Sequence, residues 1–147
     1  MTFTLNDAIA LARQAHEGQT DKAGHPYIEH PLRVMVRARV PAGLDAEHVR
    51  MAAVLHDVVE DTDLTSERLR AFGCPAPVVA AVTALTHADG EARHDYLARV
   101  TADPIAACVK RADVADNSDP DRLAQLPAAT ADRLRAKYAE TLRLLDR

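Results

Sequence analysis

Apolar residues recur along most of the chain at the three- and four-residue spacing of an amphipathic helix. In the first segment Ala8, Leu11, Ala12 and Ala15 fall on one face. Such a stripe is typical of a helix that buries one face in a core. The predicted helices cover residues 5–17, 27–40, 45–59, 65–73, 75–85, a segment around 96, 105–115, a short turn between 120 and 127, and 130–145.

Residues that begin helices separate these segments. Asp45 and Thr65 are good N-caps, and Asp103 followed by Pro104 places a cap before a proline in the first helical position. No segment shows the strict alternation of apolar and polar residues that a half-buried strand requires. The sequence therefore predicts an all-α fold, a compact bundle of about seven to nine helices, in a single domain over residues 1–147.

Composition narrows the class of protein. The chain has 147 residues, of which 48% are hydrophobic and 27% charged, as in one soluble globular domain. Its formal net charge of −4 argues against binding to duplex nucleic acid, which requires a basic face. The sequence shows no apolar run for a membrane span, no basic-then-apolar leader and no CxxC pair. We therefore expect a reduced cytoplasmic protein with no membrane partner, and the sequence leaves its oligomeric state open.

Ionisable side chains crowd the end of the predicted third helix. His56 and Glu60 lie one helical turn apart, as do Asp57 and Asp61, and the preceding turn, Met51 to Leu55, is apolar. Burying carboxylates beside imidazoles costs several kcal/mol per charge unless something compensates, and a divalent cation would do so. The alternative is a histidine that caps the helix while the acids stay solvated.

Two further segments carry side chains that can bind a metal ion. His30 stands at a predicted helix start, directly before Pro31, and Asp113 follows an apolar turn and continues to Asp116 and Asn117. Taken alone, the histidine is equally explained as a capping or core residue, and the aspartate as a surface acid. Together with His56 and its neighbours, however, these segments place such side chains on three different helices.

In their order and local context these segments resemble the HD-domain metal phosphohydrolases. The pattern of that family is a histidine, then an adjacent His–Asp pair, then a distant aspartate. The resemblance implies that His30, His56, Asp57 and Asp113 bind a divalent metal ion. Two imidazoles and two carboxylates suit manganese, and also iron, cobalt, nickel or zinc. The absence of thiolates disfavours a structural zinc site.

Four stretches narrow the resemblance to the hydrolase domain of the RelA/SpoT-type proteins, over about residues 8 to 122. That family is all-α, uses manganese and removes the 3′-pyrophosphate from guanosine tetra- and pentaphosphate. Its stand-alone members are the small alarmone hydrolases. The resemblance thus implies Mn²⁺ as the cofactor and a nucleotide with several phosphates as the substrate. The matching stretches are residues 15–19, 24–31, 52–62 and 109–117.

The same resemblance suggests roles for further residues. Glu60 and Asp61 match the family's acid pair, which we expect to orient or deprotonate water and to protonate the leaving oxygen. Lys22 matches a loop lysine that contacts phosphate, and Asn117 matches an asparagine near the ribose. Tyr27 is a candidate for lining the pocket. The alternatives for these three are a solvated lysine, a helix C-cap and a packed core tyrosine.

One position departs from the family. The guanosine hydrolases usually read Arg-Arg-Lys in this loop, and an arginine there stacks on the guanine, whereas this chain reads Thr20-Asp21-Lys22. An acid cannot replace a cation on a ring face. We therefore expect Asp21 to face the base, to accept a hydrogen bond from an exocyclic amine and to weaken the guanine preference. An adenosine analogue is accordingly a competing substrate.

Three functions remain open from the sequence. The first is a metal-dependent pyrophosphohydrolase acting on a 3′-diphosphorylated nucleotide. The second is a nucleoside monophosphate phosphatase on the same scaffold, and the third is a nucleotide sensor without catalysis. Retention of Glu60 and Asp61 favours the first, and the complete ligand set disfavours the sensor.

Overall fold

The structure, a computed structural model, describes residues 2–146. Over that range it contains ten helices and, apart from an isolated bridge between Thr20 and Pro26, no β-structure, which confirms the all-α prediction. None of these helices combines the length and the apolar character needed to cross a membrane. The helices are α1 (Leu5–Ala15), α2 (Glu29–Arg37), α3 (Ala46–Leu55), α4 (Val58–Asp61), α5 (Ser66–Ala71), α6 (Ala76–Leu85), α7 (Arg93–Ala102), α8 (Pro104–Asn117), α9 (Pro120–Leu123) and α10 (Ala128–Leu145).

Helix α3 lies at the centre of the bundle. It packs against α1, α2, α6 and α8, and every residue from Met51 to Leu55 is buried. The surrounding core consists mainly of alanine, valine and leucine side chains. Helices α2 and α8 also pack against each other, so the three helices that carry the predicted metal-binding residues meet in one place.

The helix starts follow from local chemistry. The carboxylates of Asp45 and Asp103 accept hydrogen bonds from the backbone N–H groups of His48 and Ala106, each at 3.0 Å. Pro104 occupies the first turn of α8, where its missing N–H costs nothing. These caps fix where α3 and α8 begin, and therefore which residues reach the far ends of the two helices.

The predicted third helix is interrupted. Helix α3 ends at Leu55, α4 begins at Val58, and His56 and Asp57 form the turn between them. In a continuous helix neighbouring side chains would diverge by about 100°, but here the imidazole Nε2 of His56 lies 3.0 Å from the carboxylate of Asp57. The interruption therefore brings the side chains of His56 and Asp57 together. It also divides one predicted helix into α3 and α4, which is why the structure has ten helices where at most nine were predicted.

A second, smaller hydrophobic cluster lies beside the main core. Leu123, Ala131 and Leu134 are buried within it, and Leu126 and Tyr138 pack against them. This cluster joins α9 to the first half of α10. It supplies an apolar wall next to the loop that precedes α2.

Capping of α8 is expected to contribute measurably to stability. Asp103→Ala removes the acceptor for the Ala106 N–H and should lower the free energy of unfolding by about 1 kcal/mol. Urea denaturation followed by circular dichroism measures this loss. The matched control is Asp132→Ala, because Asp132 is exposed and pairs only with Arg135 one turn away; equal losses in the two variants would contradict the capping role.

Candidate metal centre and adjoining cavities

The four predicted metal-binding residues converge where α2, α3 and α8 meet. Nε2 of His30 lies 2.8 Å and Nε2 of His56 lies 3.4 Å from the same carboxylate oxygen of Asp113. Asp57 approaches from the turn after α3, its carboxylate 3.0 Å from Nε2 of His56. His30, His56 and Asp113 are all buried. Their donor atoms lie within 4.8 Å of one another, close enough to share one ion.

Hydrogen bonds on the far side of each ring fix the tautomers of the two histidines. Nδ1–H of His30 donates to Asp116 at 2.7 Å, and Nδ1–H of His56 donates to the carbonyl of Ala53 at 2.6 Å. Both Nε2 atoms then carry a lone pair, which is the arrangement that metal-binding histidines adopt.

Those lone pairs face carboxylate oxygens, so the cluster needs a positive charge at its centre. Nε2 of His56 is buried without a hydrogen-bond partner, although the carboxylates of Asp57 and Asp113 lie beside it. Burial opposes a charge on His56, yet these two carboxylates raise the pKa of the imidazole well above its usual value. A divalent cation supplies the missing charge and accepts all the lone pairs, so the residues fit a metal ion.

Asp116 organises the surroundings of this cluster. Its side chain is completely buried, and it accepts from Nδ1 of His30 at 2.7 Å. It also binds the guanidinium groups of Arg33, Arg37 and Arg122 at 2.8, 3.1 and 2.7 Å. Burial would raise the pKa of Asp116, but the bonds from His30 and Arg33 hold it below the usual range. The carboxylate is therefore ionised and holds the His30 ring in position.

Two polar side chains hold the predicted ligand Asp113. The amide of Asn117 donates to one carboxylate oxygen at 3.1 Å, and Nζ of Lys110 donates to the other at 3.1 Å. Burial alone would raise the pKa of Asp113, but Lys110 and the two histidines keep it well below its usual value. Asn117, expected from the sequence to contact substrate, thus orients the predicted metal-binding residue Asp113 in the structure.

Tyr27 likewise contacts both a predicted metal-binding residue and a cavity. Its hydroxyl donates to the carboxylate of Asp57 at 2.5 Å, and its ring lies 5.8 Å from that of His30. Burial, followed by the charge of Asp57, raises the pKa of this phenol, so the hydroxyl stays a donor. Tyr27 is therefore half-buried and lines a cavity, rather than lying within the packed core.

Glu60 and Asp61 lie on α4 beside the cluster, with both side chains exposed. The carboxylate of Glu60 accepts from the backbone N–H of His87 at 2.6 Å, and the carbonyl of Asp61 accepts from Gln19 at 3.0 Å. Partial desolvation, followed by the charges of Asp57 and Glu60, raises the pKa of Asp61 to about 6. A carboxyl that titrates near neutrality suits proton transfer.

A cavity of about 450 Å³ opens next to the metal cluster, and we call it the loop cavity. Its volume falls within the range of about 300–1,000 Å³ that small-molecule sites occupy. The predicted substrate residues Lys22, Tyr27 and Asn117 all line it. The rest of the lining includes the cations Arg33 and Arg122, the acids Asp21 and Glu29, and an apolar wall formed by Leu123, Leu126, Leu134 and Tyr138.

A second cavity of about 560 Å³, the α7 cavity, shares Asn117 and Tyr138 with the first. It reaches the metal cluster at Asp113 and the acid pair at Glu60. Three cations line it, namely Arg93, Lys110 and Lys137. The two cavities therefore adjoin each other at Asn117, whose amide donates to Asp113 of the candidate metal centre.

Asp21 lines the loop cavity, but its carboxylate is already bound by other groups of the protein. One of its carboxylate oxygens accepts from the backbone N–H groups of Ala23 and His25, at 2.9 and 3.0 Å. The other lies 3.5 Å from the guanidinium of Arg122. In the structure Asp21 shapes the loop and holds Arg122, and the expectation that it meets the base stays a prediction.

Several residues at the site received no role from the sequence. Asp116 could have been found, because it lies one turn after Asp113 and so shares its helix face. Lys110 lies one turn before Asp113, so it could have been found in the same way. Arg93 and Lys137 reach the α7 cavity from helices with no motif, and only the fold brings them there.

Comparison with known proteins agrees with this geometry. A family model described as HD domain matches residues 8–107, and the chain belongs to the HD-domain family. Within that family it is similar to the guanosine-3′,5′-bis(diphosphate) 3′-pyrophosphohydrolase of Vibrio cholerae, with 50% identity over 70 residues, 47% of this chain and 10% of that protein. It is also 52% identical over 62 residues, 42% of this chain and 8% of the relative, to the bifunctional (p)ppGpp synthase/hydrolase SpoT of Escherichia coli K12.

A solved structure extends the likeness to nearly the whole fold. It is described as a metazoan ortholog of SpoT that hydrolyses ppGpp, and it superposes with a TM-score of 0.77 at 25% identity. The match covers 96% of this chain and 84% of that one. The curated relatives are far longer, since the aligned parts span 10% or less of their length.

The buried carboxylate of Asp116 is expected to control metal affinity without touching the ion. Asp116→Asn leaves His30 without its charged partner, and loss of such a contact typically weakens metal binding by about 10–100-fold. Calorimetric titration with Mn²⁺ measures this change. Asp121→Asn is the control, since it removes the same charge from an exposed position nearby; unchanged Mn²⁺ affinity in Asp116→Asn would contradict the role.

Proposed function

We propose that this protein is a metal-dependent hydrolase that removes the 3′-pyrophosphate from guanosine 3′,5′-bis(diphosphate) or a closely related nucleotide. The observation that carries the proposal is the buried cluster of His30, His56 and Asp113, which lies beside two adjoining cavities with lysine and arginine in their linings. The names of the similar proteins support the same reaction. We further propose that residues 1–147 form a single domain that acts in the cytoplasm.

We assign His30, His56, Asp57 and Asp113 as the residues that hold one divalent cation. Their mixed nitrogen and oxygen donors suit Mn²⁺, the cofactor implied by the family resemblance. When bound, the cation supplies Lewis-acid chemistry, in that it polarises a phosphate and lowers the pKa of water.

The substrate is proposed to span both cavities. The nucleoside and its 5′-phosphates lie in the loop cavity, where Lys22, Tyr27 and Asn117 line the wall. The 3′-diphosphate lies in the α7 cavity, where Arg93, Lys110 and Lys137 offset its negative charge. This placement brings the phosphorus nearest the ribose to the metal cluster, because the two cavities meet there.

The acid pair on α4 then handles the protons. The oxygen of a water molecule bonds to the phosphorus that is attached to the ribose 3′-oxygen. The bond between the 3′-oxygen and this phosphorus breaks, and pyrophosphate leaves. Glu60 and Asp61 together take a proton from the water and return one to the 3′-oxygen. The raised pKa of Asp61, about 6, suits a group that exchanges protons near neutral pH.

An adenosine polyphosphate is the second candidate substrate. Asp21 occupies the loop where an arginine would stack on guanine, and its carboxylate is engaged by the loop backbone and by Arg122. The loop therefore offers no cation for guanine from that position.

Metal binding is expected to depend on Asp57. Asp57→Ala removes a carboxylate that approaches both His56 and the hydroxyl of Tyr27. Elemental analysis and Mn²⁺ titration should then show loss of the single bound ion. Asp63→Ala, an exposed acid on the following turn, is the control and should keep it. Full stoichiometry in Asp57→Ala would remove Asp57 from the ligand set.

Substitutions in the acid pair of Glu60 and Asp61 are expected to reduce turnover without reducing metal binding. Glu60→Gln and Asp61→Asn should retain Mn²⁺ yet lose about 10²–10⁴-fold in kcat, the usual contribution of positioned acid and base groups. Steady-state release of pyrophosphate from guanosine tetraphosphate measures turnover. Glu67→Gln removes an exposed carboxylate on α5 and should turn over normally. Wild-type kcat in both variants would exclude the pair from the mechanism.

A further inference from the structure

The guanidinium of Arg122 is fixed at the edge of the loop cavity. One terminal nitrogen donates to Asp116 at 2.7 Å and to Asn117 at 3.2 Å, and the other lies 3.5 Å from Asp21. These partners come from α8 and from the loop before α2, so Arg122 joins the two elements. About a quarter of its side chain, 26%, stays exposed, and it lines the cavity.

These contacts decide which part of Arg122 a ligand can meet. A guanidinium has five N–H donors, all in its plane. Bonds to Asp116, Asn117 and Asp21 occupy three of the donors at its far end. With those donors engaged, the flat face of the group is available to a ligand. An immobilised guanidinium face is a stacking surface for planar rings.

The rest of the loop cavity suits a ring held in this way. Tyr138, Leu126 and Leu134 of the smaller hydrophobic cluster line the same space. An apolar wall and a guanidinium face together can hold a planar base by its faces, without hydrogen bonds to the atoms along its edge.

We propose that Arg122 is the residue that recognises the nucleobase, by stacking, and that Asp21 serves as its anchor. This inference rests on the proposed function, since it assumes that the loop cavity takes the nucleoside. Because the face rather than the edge of the base is recognised, Arg122 distinguishes a purine nucleotide from a base-free phosphate but does not distinguish guanine from adenine. In this proposal Asp21 of the loop is thus the partner of Arg122, a cation that α9 supplies.

The test measures binding rather than turnover. Affinities of the Mn²⁺-loaded protein for guanosine 5′-diphosphate, adenosine 5′-diphosphate and inorganic pyrophosphate are determined by calorimetry. In Arg122→Gln the Kd of both nucleotides should rise about tenfold, as expected for one desolvated cation–π contact, while the Kd of pyrophosphate is unchanged. Arg122→Lys keeps the charge and the ion pair but not the planar face, and should show the same nucleotide-specific loss.

The matched control is Arg37→Gln. Arg37 also donates to Asp116, at 3.1 Å, but it does not line the loop cavity. Any effect transmitted through Asp116 appears in both variants, whereas loss of stacking appears only at Arg122. Nucleotide affinity in Arg37→Gln should change less than about twofold.

Several results would overturn the inference. These are unchanged nucleotide affinity in Arg122→Gln, an equal loss for pyrophosphate, full rescue by lysine, a loss confined to the guanosine nucleotide, or a wild-type protein that binds neither nucleotide. Turnover of guanosine tetraphosphate is assayed separately. A wild-type protein that binds both nucleotides through Arg122 without hydrolysing the tetraphosphate would contradict the proposed reaction and leave the stacking role intact.

Discussion

The candidate site depends on one fully buried carboxylate. Asp116 is ionised inside the protein because a histidine and three arginines surround it, and removing a charge from such a network without replacement is costly. Through these bonds a single side chain on α8 orients His30 on α2, holds Arg33 and Arg37 against the bundle, and draws in Arg122 from α9. The hydrogen bonds and ion pairs that stabilise the buried charge of Asp116 therefore also fix the geometry of the metal cluster.

Charge is arranged in layers around that carboxylate. The centre is rich in acidic groups and attracts a cation, whereas lysine and arginine side chains stand beside acids in the lining of the two adjoining cavities. A protein with a formal net charge of −4 can still place positive groups where the proposed polyanionic substrate would bind. Net charge argues against a basic surface for duplex nucleic acid, but it says little about a cavity.

Local signals were sufficient for much of this structure. The caps Asp45 and Asp103 and the apolar stripes depend on neighbours within one or two turns, so the all-α fold and most helix starts are predictable from the sequence. The break after Leu55 is not, because the turn there places His56 3.4 Å from Asp113 of α8, a contact that only the folded chain creates. The bond between Asp21 and Arg122 joins residues about one hundred positions apart, and only the folded chain brings them together.

The interruption between α3 and α4 has a consequence for how such a protein changes over evolutionary time. His56, Asp57, Glu60 and Asp61 form one continuous stretch around this short turn, so an insertion or deletion there would rotate the acid pair away from the metal-binding residues. The groups proposed to hold the base, by contrast, come from a surface loop and from α9, which tolerate substitution separately. In the proposed site, substrate preference can therefore change while this stretch is inherited as a unit, and a charge absent from the loop can be supplied by another helix.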